Sequence, residues 1–135
     1  MKFVTDILIR FHHCDPAGIV FYPRYFEMVN MVVEDFFAKA MQASFPTMGA
    51  RGESVPTVRV ECDFVQASQI GDVVTFELGV ERIGRSSFGI AVRAHCQDED
   101  RFRMRGTLVY VALGPPQKSL PIPDDIRARM QAYLQ

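Results

Sequence analysis

Residues 12–23, HHCDPAGIVFYP, form a short loop that runs into the longest helical pattern of the chain. Two imidazoles, a thiol and a carboxylate occupy four consecutive positions. Asp15 is followed at once by Pro16 and Gly18, which both punctuate a backbone strongly. Pro23 suits the first turn of a helix, where a missing N–H costs nothing. The stretch therefore predicts reactive side chains beside a helix N-terminus, whose free N–H groups favour developing negative charge.

The segments on either side of this loop have clear periodicity. Residues 3–11 are rich in β-forming side chains and predict a strand. In residues 23–40, apolar side chains recur at helical spacing and also occupy most of the other faces, which is typical of a buried helix. Residues 41–54 contain one proline and two glycines and predict a loop.

Four segments with two-residue alternation follow, at residues 57–64, 74–81, 88–96 and 102–110. Alternation over this length predicts antiparallel strands with one covered face and one wetter face. The order of elements indicates an α+β fold, in which a curved antiparallel five-stranded sheet wraps around one long central helix. We expect one domain over residues 1–135, with a Pro-rich tail at 115–135 that includes a short helix within 124–134.

The composition excludes several classes of protein. The net charge of -1 gives no electrostatic footprint for nucleic acid. The three cysteines are odd in number and scattered, so they predict neither a disulfide framework nor a zinc site, and a reducing cytoplasm is the expected compartment. Asp6 and Arg10 interrupt the N-terminal apolar run, so no signal peptide is expected. No stretch approaches the ~18 consecutive apolar residues of a membrane span.

The apolar surface of the central helix exceeds what one sheet face would need. Ala91, Val109 and Val111 also place apolar side chains on the second face of the sheet. We therefore predict a homo-oligomer, in which strands or sheet edges meet across a two-fold axis.

The run at residues 15–26, DPAGIVFYPRYF, resembles the signature of the 4-hydroxybenzoyl-CoA thioesterase family, whose members are acyl-CoA thioesterases with the hotdog fold. Residues 85–88, RSSF, are similar to a shorter and less specific motif of that family at a later strand start. The order of elements agrees with the family over residues 3–113. The resemblance implies a hydrolase that converts an acyl-CoA thioester to a free acid and CoA, with no metal and no cofactor other than the CoA of the substrate. It also implies a homodimer or a dimer of dimers (a homotetramer), with active sites at the dimer interface.

The resemblance further assigns roles within the motif. Asp15 would be the catalytic carboxylate, and the backbone N–H near Tyr22 would polarise the thioester carbonyl. The acyl group would enter beside the helix near Asn30, where the hydroxybenzoyl-specific enzyme has a carboxylate that meets the substrate hydroxyl. An amide can also hydrogen-bond a phenol. The substrate-binding candidates are His13, Gly18, Tyr22, Tyr25 and Asn30.

Thioester hydrolysis needs little apparatus, because a thiolate leaves readily. Asp15 can attack as a nucleophile and form a mixed anhydride, or it can act as a general base on water. From spacing alone, a loop or cap aspartate before proline is the favoured interpretation of Asp15, and the resemblance is what favours catalysis. His13 could contact substrate or act as a base, although a partly buried structural histidine is the favoured interpretation. Cys14 is better explained as a small buried hydrophobe than as a nucleophile.

Arginine and serine side chains at a turn between two of the strands could hold the phosphates or the pantetheine arm of CoA. These CoA-binding candidates are Arg82, Arg85, Ser86 and Ser87. A second basic set, Arg101, Arg103 and Arg105, lies on one phase of a later strand, where a solvated sheet face is the favoured interpretation.

The aromatic side chains of the loop and the helix start favour a benzoyl or hydroxybenzoyl substrate slightly over a short-to-medium aliphatic acyl group. Two alternatives stay open. One is a hydratase or dehydratase on the same fold, which would use an Asp–His arrangement on the helix, but this helix has no histidine. The other is a non-catalytic module that binds acyl-CoA or an acyl-carrier protein.

Overall fold

The computed structural model describes all 135 residues and has the predicted order of one strand, a long helix and then four long strands. The first half contains β1 (Phe3–Leu8), a 3₁₀ turn (Phe11–His13), α1 (Arg24–Asp35), a π-helical turn (Phe36–Ala40), α2 (Phe45–Ala50) and β2 (Glu53–Ser54). The second half contains β3 (Thr57–Phe64), β4 (Val73–Ile83), β5 (Ser87–Cys96), β6 (Glu99–Val109), β7 (Val111–Ala112), β8 (Lys118–Ser119) and α3 (Asp124–Gln131).

The five long strands form one antiparallel sheet in the order β1-β4-β5-β6-β3. Its inner face is built from the predicted alternating side chains. Residues such as Phe76, Ile90 and Phe102 are almost completely buried there. Register shifts near Glu81 on β4 and at Ala94/His95 on β5 mark bulges, which bend a sheet and increase its twist. The predicted α+β architecture, with a five-stranded antiparallel sheet and a long helix, is confirmed.

Helix α1 lies on this inner face and buries Met28, Val29 and Val32. At its end the backbone widens into the π-helical turn, in which the Met41 N–H donates to the Phe36 carbonyl. Regular helical spacing would bury one of two neighbouring phenylalanines. The wider turn leaves both Phe36 and Phe37 with no exposed surface, so both rings contribute to the core.

The predicted loop at 41–54 is more ordered than its sequence pattern indicates. It contains α2, whose N-cap Ser44 accepts a hydrogen bond from the Thr47 N–H at 3.3 Å. Pro46 occupies the first turn, as it often does in helices, and Met48 is buried. Strand β2 then pairs with β7, and β7 pairs with β8, to form a second sheet of three short strands. These elements are too short for periodicity to reveal them.

The predicted short helix in the tail is confirmed as α3, which buries Ile126 and Met130. After α3 the chain returns to the main sheet. The Val80 N–H of β4 donates to the Tyr133 carbonyl, and the Gln135 N–H donates to the Val80 carbonyl. None of the helices is long and apolar enough to cross a bilayer.

Candidate active site

The loop that contains Asp15 folds back on itself as a small hairpin. Cys14 and Val20 form an antiparallel bridge, and the Asp15 N–H donates to the Ile19 carbonyl at 3.0 Å. Gly18 closes the turn with a φ of 80°, a conformation that favours glycine. The hairpin therefore gives Asp15 a defined backbone position.

The Asp15 carboxylate is half-buried and only partly engaged. Its Oδ1 accepts a hydrogen bond from the Ala17 N–H at 2.8 Å, as in an Asx turn. No protein donor reaches Oδ2. One oxygen thus orients the carboxylate, and the other is available to a ligand or a water molecule.

A cavity of about 300 Å³ adjoins this carboxylate. Its lining residues are His12, Cys14, Asp15, Pro16, Phe21 and Arg24. Arg24 is the member that sequence reasoning missed, because it falls on the narrow polar strip of the helix pattern. Its guanidinium donates to both carboxylate oxygens of Glu27, at 2.9 and 3.2 Å. The cavity therefore combines one anionic group with one cationic group.

Helix α1 begins next to this cavity, and tight turns satisfy its first N–H groups. The N–H of Arg24 donates to the Phe21 carbonyl at 2.8 Å, and the N–H of Tyr25 donates to the Tyr22 carbonyl at 3.2 Å. By contrast, the Tyr22 N–H donates to no protein acceptor. The unpaired donor at the start of the helix is thus the one that the resemblance singles out.

His13 is buried and its ring is fixed by the backbone. Its Nδ1 accepts a hydrogen bond from the Arg10 N–H at 2.8 Å, so the ring proton resides on Nε2. Burial lowers the pKa of His13 below its ordinary value, and the nearby charges of His12 and Arg24 lower it further. His13 is therefore neutral near pH 7, and its free hydrogen-bonding atom is a donor.

Tyr25 is packed into the core next to the site. Its ring stacks on Phe102 with centroids 4.7 Å apart, and its hydroxyl donates to Ser68 Oγ at 2.8 Å. Burial raises the pKa of Tyr25. Tyr22 is exposed and shares an apolar cavity of about 370 Å³ with Tyr25 and Phe64. A direct substrate contact by Tyr25 stays a prediction.

Asn30 faces a different cavity, of about 260 Å³, between α1 and the edge of the sheet. Most of the lining is apolar and includes Phe26, Val33 and Val60. Asn30 supplies an amide at this wall. Within one chain, the cavity at Asn30 and the cavity at Asp15 share no lining residue.

The turn predicted to bind CoA lies at the opposite end of the sheet. Its four candidates lie between the end of β4, which contains Arg82, and the start of β5 at Ser87, whereas the Asp15 loop packs on residues 68–72, just before β4 begins. Strand β4 has 11 residues, which corresponds to roughly 33 Å. Arg82 donates to Ser87 Oγ and Thr107 Oγ1, Arg85 is exposed, and Ser86 accepts at its carbonyl from the Tyr110 N–H. One chain therefore does not bring these four candidates to Asp15.

An exposed apolar surface lies along one edge of the main sheet. Strand β3 is an edge of the sheet, and its side chains stay largely exposed on both faces, unlike the covered face that its alternation predicts. The Phe64 ring contacts the rings of Tyr22 and Phe26, with centroids 5.8 and 6.4 Å away. Exposed edges and apolar patches of this kind are typical of interfaces.

Comparison with known proteins assigns the chain to a family. Residues 9–130 match the sequence model of the thioesterase-like superfamily. The chain belongs to this superfamily. The recognised resemblance to the 4-hydroxybenzoyl-CoA thioesterase family is confirmed.

Two individual proteins are also similar in sequence to part of this chain. The chain is 33% identical over 82 residues to the 4-hydroxybenzoyl-CoA thioesterase of Pseudomonas sp. (strain CBS-3). The alignment covers 59% of this chain and 58% of that protein. It is 30% identical over 87 residues to the 1,4-dihydroxy-2-naphthoyl-CoA hydrolase of Prochlorococcus marinus (strain NATL2A), with 59% and 56% covered. Both alignments span less than two thirds of the relative.

A solved structure extends the likeness in fold over nearly the whole chain. The 1,4-dihydroxy-2-naphthoyl-CoA thioesterase from Synechocystis superposes with a TM-score of 0.88 at 18% identity, covering 97% of this chain and 96% of that one. At this identity the comparison supports the hotdog fold alone.

Proposed function

We propose that this chain is an acyl-CoA thioesterase, which hydrolyses a thioester to a free acid and CoA with Asp15 as its catalytic carboxylate. One observation carries the proposal. In a member of the thioesterase-like superfamily, a carboxylate with one free oxygen lies on the loop that leads directly to the unpaired N–H of Tyr22.

The reaction needs only these two groups. The thioester oxygen accepts a hydrogen bond from the Tyr22 N–H, which stabilises the negative charge that develops there. Losing one such donor costs about 3 kcal/mol in other enzymes. Asp15 either attacks the carbonyl carbon or removes a proton from an attacking water.

Both routes end in the same products. In the nucleophilic route the C–S bond breaks, CoA leaves as a thiolate, and water hydrolyses the resulting anhydride to restore Asp15. In the general-base route the hydroxide adds to the carbonyl carbon, the C–S bond then breaks to release the CoA thiolate, and the proton that Asp15 took from water passes to that thiolate. His13 is a poor base in either route, because its Nδ1 is occupied and its Nε2 carries the ring proton.

We assign the acyl group to the cavity at Asn30. A space of about 260 Å³ with mostly apolar walls fits one aromatic ring, and the amide can pair with a ring hydroxyl. The names of the two curated relatives, a 4-hydroxybenzoyl-CoA thioesterase and a 1,4-dihydroxy-2-naphthoyl-CoA hydrolase, both specify hydroxylated aromatic acyl groups. This supports a hydroxylated aromatic substrate over an aliphatic one.

We further propose that the working unit is a homodimer, alone or paired into a dimer of dimers. The turn that carries Arg85 and Ser87 lies roughly 33 Å along β4 from the Asp15 loop. A second copy docked on the exposed β3 edge would supply its own turn to this site and hold the CoA phosphates. The cytoplasm, where free cysteines stay reduced, is the compartment we propose.

A panel of acyl-CoA substrates tests the activity. Thiol release is measured with hydroxybenzoyl-, benzoyl-, hydroxynaphthoyl-, short-chain and medium-chain acyl-CoA, together with a 2-enoyl-CoA for hydration. We expect thiol release, fastest with a hydroxylated aromatic substrate. Binding of acyl-CoA without thiol release would instead favour the non-catalytic module, and hydration without thiol release would favour a hydratase.

A further inference from the structure

Arg101 differs from the other arginines of its strand. Arg103 and Arg105 are 57% and 64% exposed and follow the predicted solvated face, but the Arg101 side chain is only 12% exposed. Its Nη1 donates to Asp72 Oδ2 at 2.7 Å, to Ser68 Oγ at 3.2 Å and to the Ala67 carbonyl at 3.2 Å. One guanidinium nitrogen thus fixes three points of the segment 67–72.

Ser68 is the centre of this cluster and has no exposed surface. Its Oγ accepts hydrogen bonds from Arg101 and from the Tyr25 hydroxyl, the latter at 2.8 Å. Its backbone carbonyl accepts from the Val20 N–H at 2.9 Å. The same residue therefore contacts the sheet, the first turn of α1 and the loop of Asp15.

A short ladder of backbone pairs leads from Ser68 to the carboxylate. Gln69 bridges Ile19, and the Asp15 N–H donates to the Ile19 carbonyl. The start of the same loop is held by the same segment, because the Ile9 N–H donates to the Asp72 carbonyl at 2.8 Å. Both ends of the Asp15 loop thus rest on the segment that Arg101 fixes.

The start of helix α1 is also hydrogen-bonded to Ser68. The Tyr25 hydroxyl binds Ser68, and the Tyr25 N–H donates to the carbonyl of Tyr22, the residue with the unpaired N–H. A change at Ser68 would therefore alter the separation between the carboxylate and the oxyanion donor.

We infer that Arg101, Ser68 and Tyr25 are positioning residues, which set the Asp15 carboxylate relative to the Tyr22 N–H. For Tyr25, this role through Ser68 replaces the predicted substrate contact. This inference rests on the proposed thioesterase function. The hydrogen bonds from the Gln69 N–H and from Arg101 hold the pKa of Asp72 below its ordinary value. The Asp72 carboxylate therefore stays ionised and paired with Arg101. Displacement of a reacting group by about 1 Å can cost roughly a hundredfold in rate.

A double-mutant cycle tests this role. Arg101→Met and Tyr25→Phe are each measured in the wild-type background and in the Asp15→Asn background, with thiol release from the best acyl-CoA as the readout. We expect each variant to lower kcat by about tenfold or more when Asp15 is present, but by less than about threefold when it is absent. Arg103→Met is the matched control and should change neither background.

The cycle separates positioning from general destabilisation. A loss of folded enzyme would lower activity by the same factor in both backgrounds, and that result would overturn the inference while leaving the proposed function intact. Unchanged kcat in the wild-type background would overturn it as well. If Arg101→Met does not fold, Tyr25→Phe decides, because it keeps the ring stacked on Phe102 and removes only the hydroxyl. A wild type that hydrolyses no thioester would overturn the proposed function, and the inference would fall with it.

Discussion

The Nδ1 atom of His13 lies 2.8 Å from the backbone nitrogen of Arg10 and accepts its hydrogen bond. A protonated imidazole has no acceptor atom, so charging His13 would break this contact and leave the Arg10 N–H unpaired. Burial and the neighbouring charges of His12 and Arg24 act in the same direction and lower the pKa of His13. The contact therefore links the fold of the active-site loop to pH.

This link predicts a pH dependence of stability. Because the folded state lowers the pKa of His13, the unfolded chain binds a proton more readily between the unfolded pKa and the folded one. The contribution of His13 is complete above about pH 6.5 and is lost as the pH falls towards the folded pKa. We expect His13→Asn, whose amide oxygen can still accept from Arg10, to have a shallower decrease of Tm over this acid range.

His12 provides the matched control for this measurement. It neighbours His13 but is exposed and makes no comparable backbone hydrogen bond. His12→Asn should keep most of the wild-type decrease in Tm. A decrease that is identical in the wild type and His13→Asn would contradict the account of His13.

The cavity at Asn30 predicts a change in substrate preference. Removing the amide leaves a ring hydroxyl without a hydrogen-bond partner in a largely apolar space. An unpaired buried hydroxyl costs about 1–3 kcal/mol of binding free energy. We expect Asn30→Ala to lower kcat/KM for hydroxybenzoyl-CoA by about tenfold or more and to change kcat/KM for benzoyl-CoA by less than about threefold. Equal losses for both substrates would show that Asn30 does not contact the ring hydroxyl.

How much of this arrangement is visible in the sequence depends on the range of the contacts. The alternation through Val74–Val80 and Ile90–Ala94 predicts β4 and β5, because each pattern is long and one-sided. The small helix α2 depends on one capping hydroxyl, and a single Ser44 in a loop is not distinctive. The alternation of side chains within β3 also does not show that this strand lies at the edge of the sheet, because strand order depends on the other strands.

The site divides in the same way. Asp15 and Tyr22 can be found because they lie within one short motif that runs into the helix. The cluster around Ser68 cannot be found, because the Tyr25 hydroxyl reaches a residue 43 positions away and Arg101 reaches one 33 positions away. An arginine on the apparently solvated phase of a strand gives no signal of such partners.

The separation between the two ends of β4 predicts complementation between subunits. If a site combines Asp15 of one copy with the Arg85 turn of another, a hybrid of Asp15→Asn and Arg85→Ala chains contains one intact site. Half of the dimers in a random 1:1 mixture are hybrids, each with one intact site of two, so about a quarter of wild-type activity should return.

The complementation is measured after the two inactive variants are co-expressed or mixed and refolded together. Activity is compared with that of each variant alone at a subsaturating acyl-CoA concentration, where weak CoA binding limits the rate. A mixture that shows only the average of the two parents would contradict a site shared between copies. It would leave Asp15 in place but remove the CoA role of the distant turn.

The most direct test of the central claim is thiol release by Asp15→Asn on the best acyl-CoA of the panel. The substitution keeps the size of the side chain and an oxygen that can accept from the Ala17 N–H, so the loop should keep its fold. Asp124→Asn, at an exposed position of α3, is the control. We expect kcat to fall by about a hundredfold or more in Asp15→Asn and by less than about twofold in the control. Both variants should keep the circular dichroism spectrum and the oligomeric state of the wild type. Activity equal to that of the wild type would contradict the account and direct attention to Cys14 and His13.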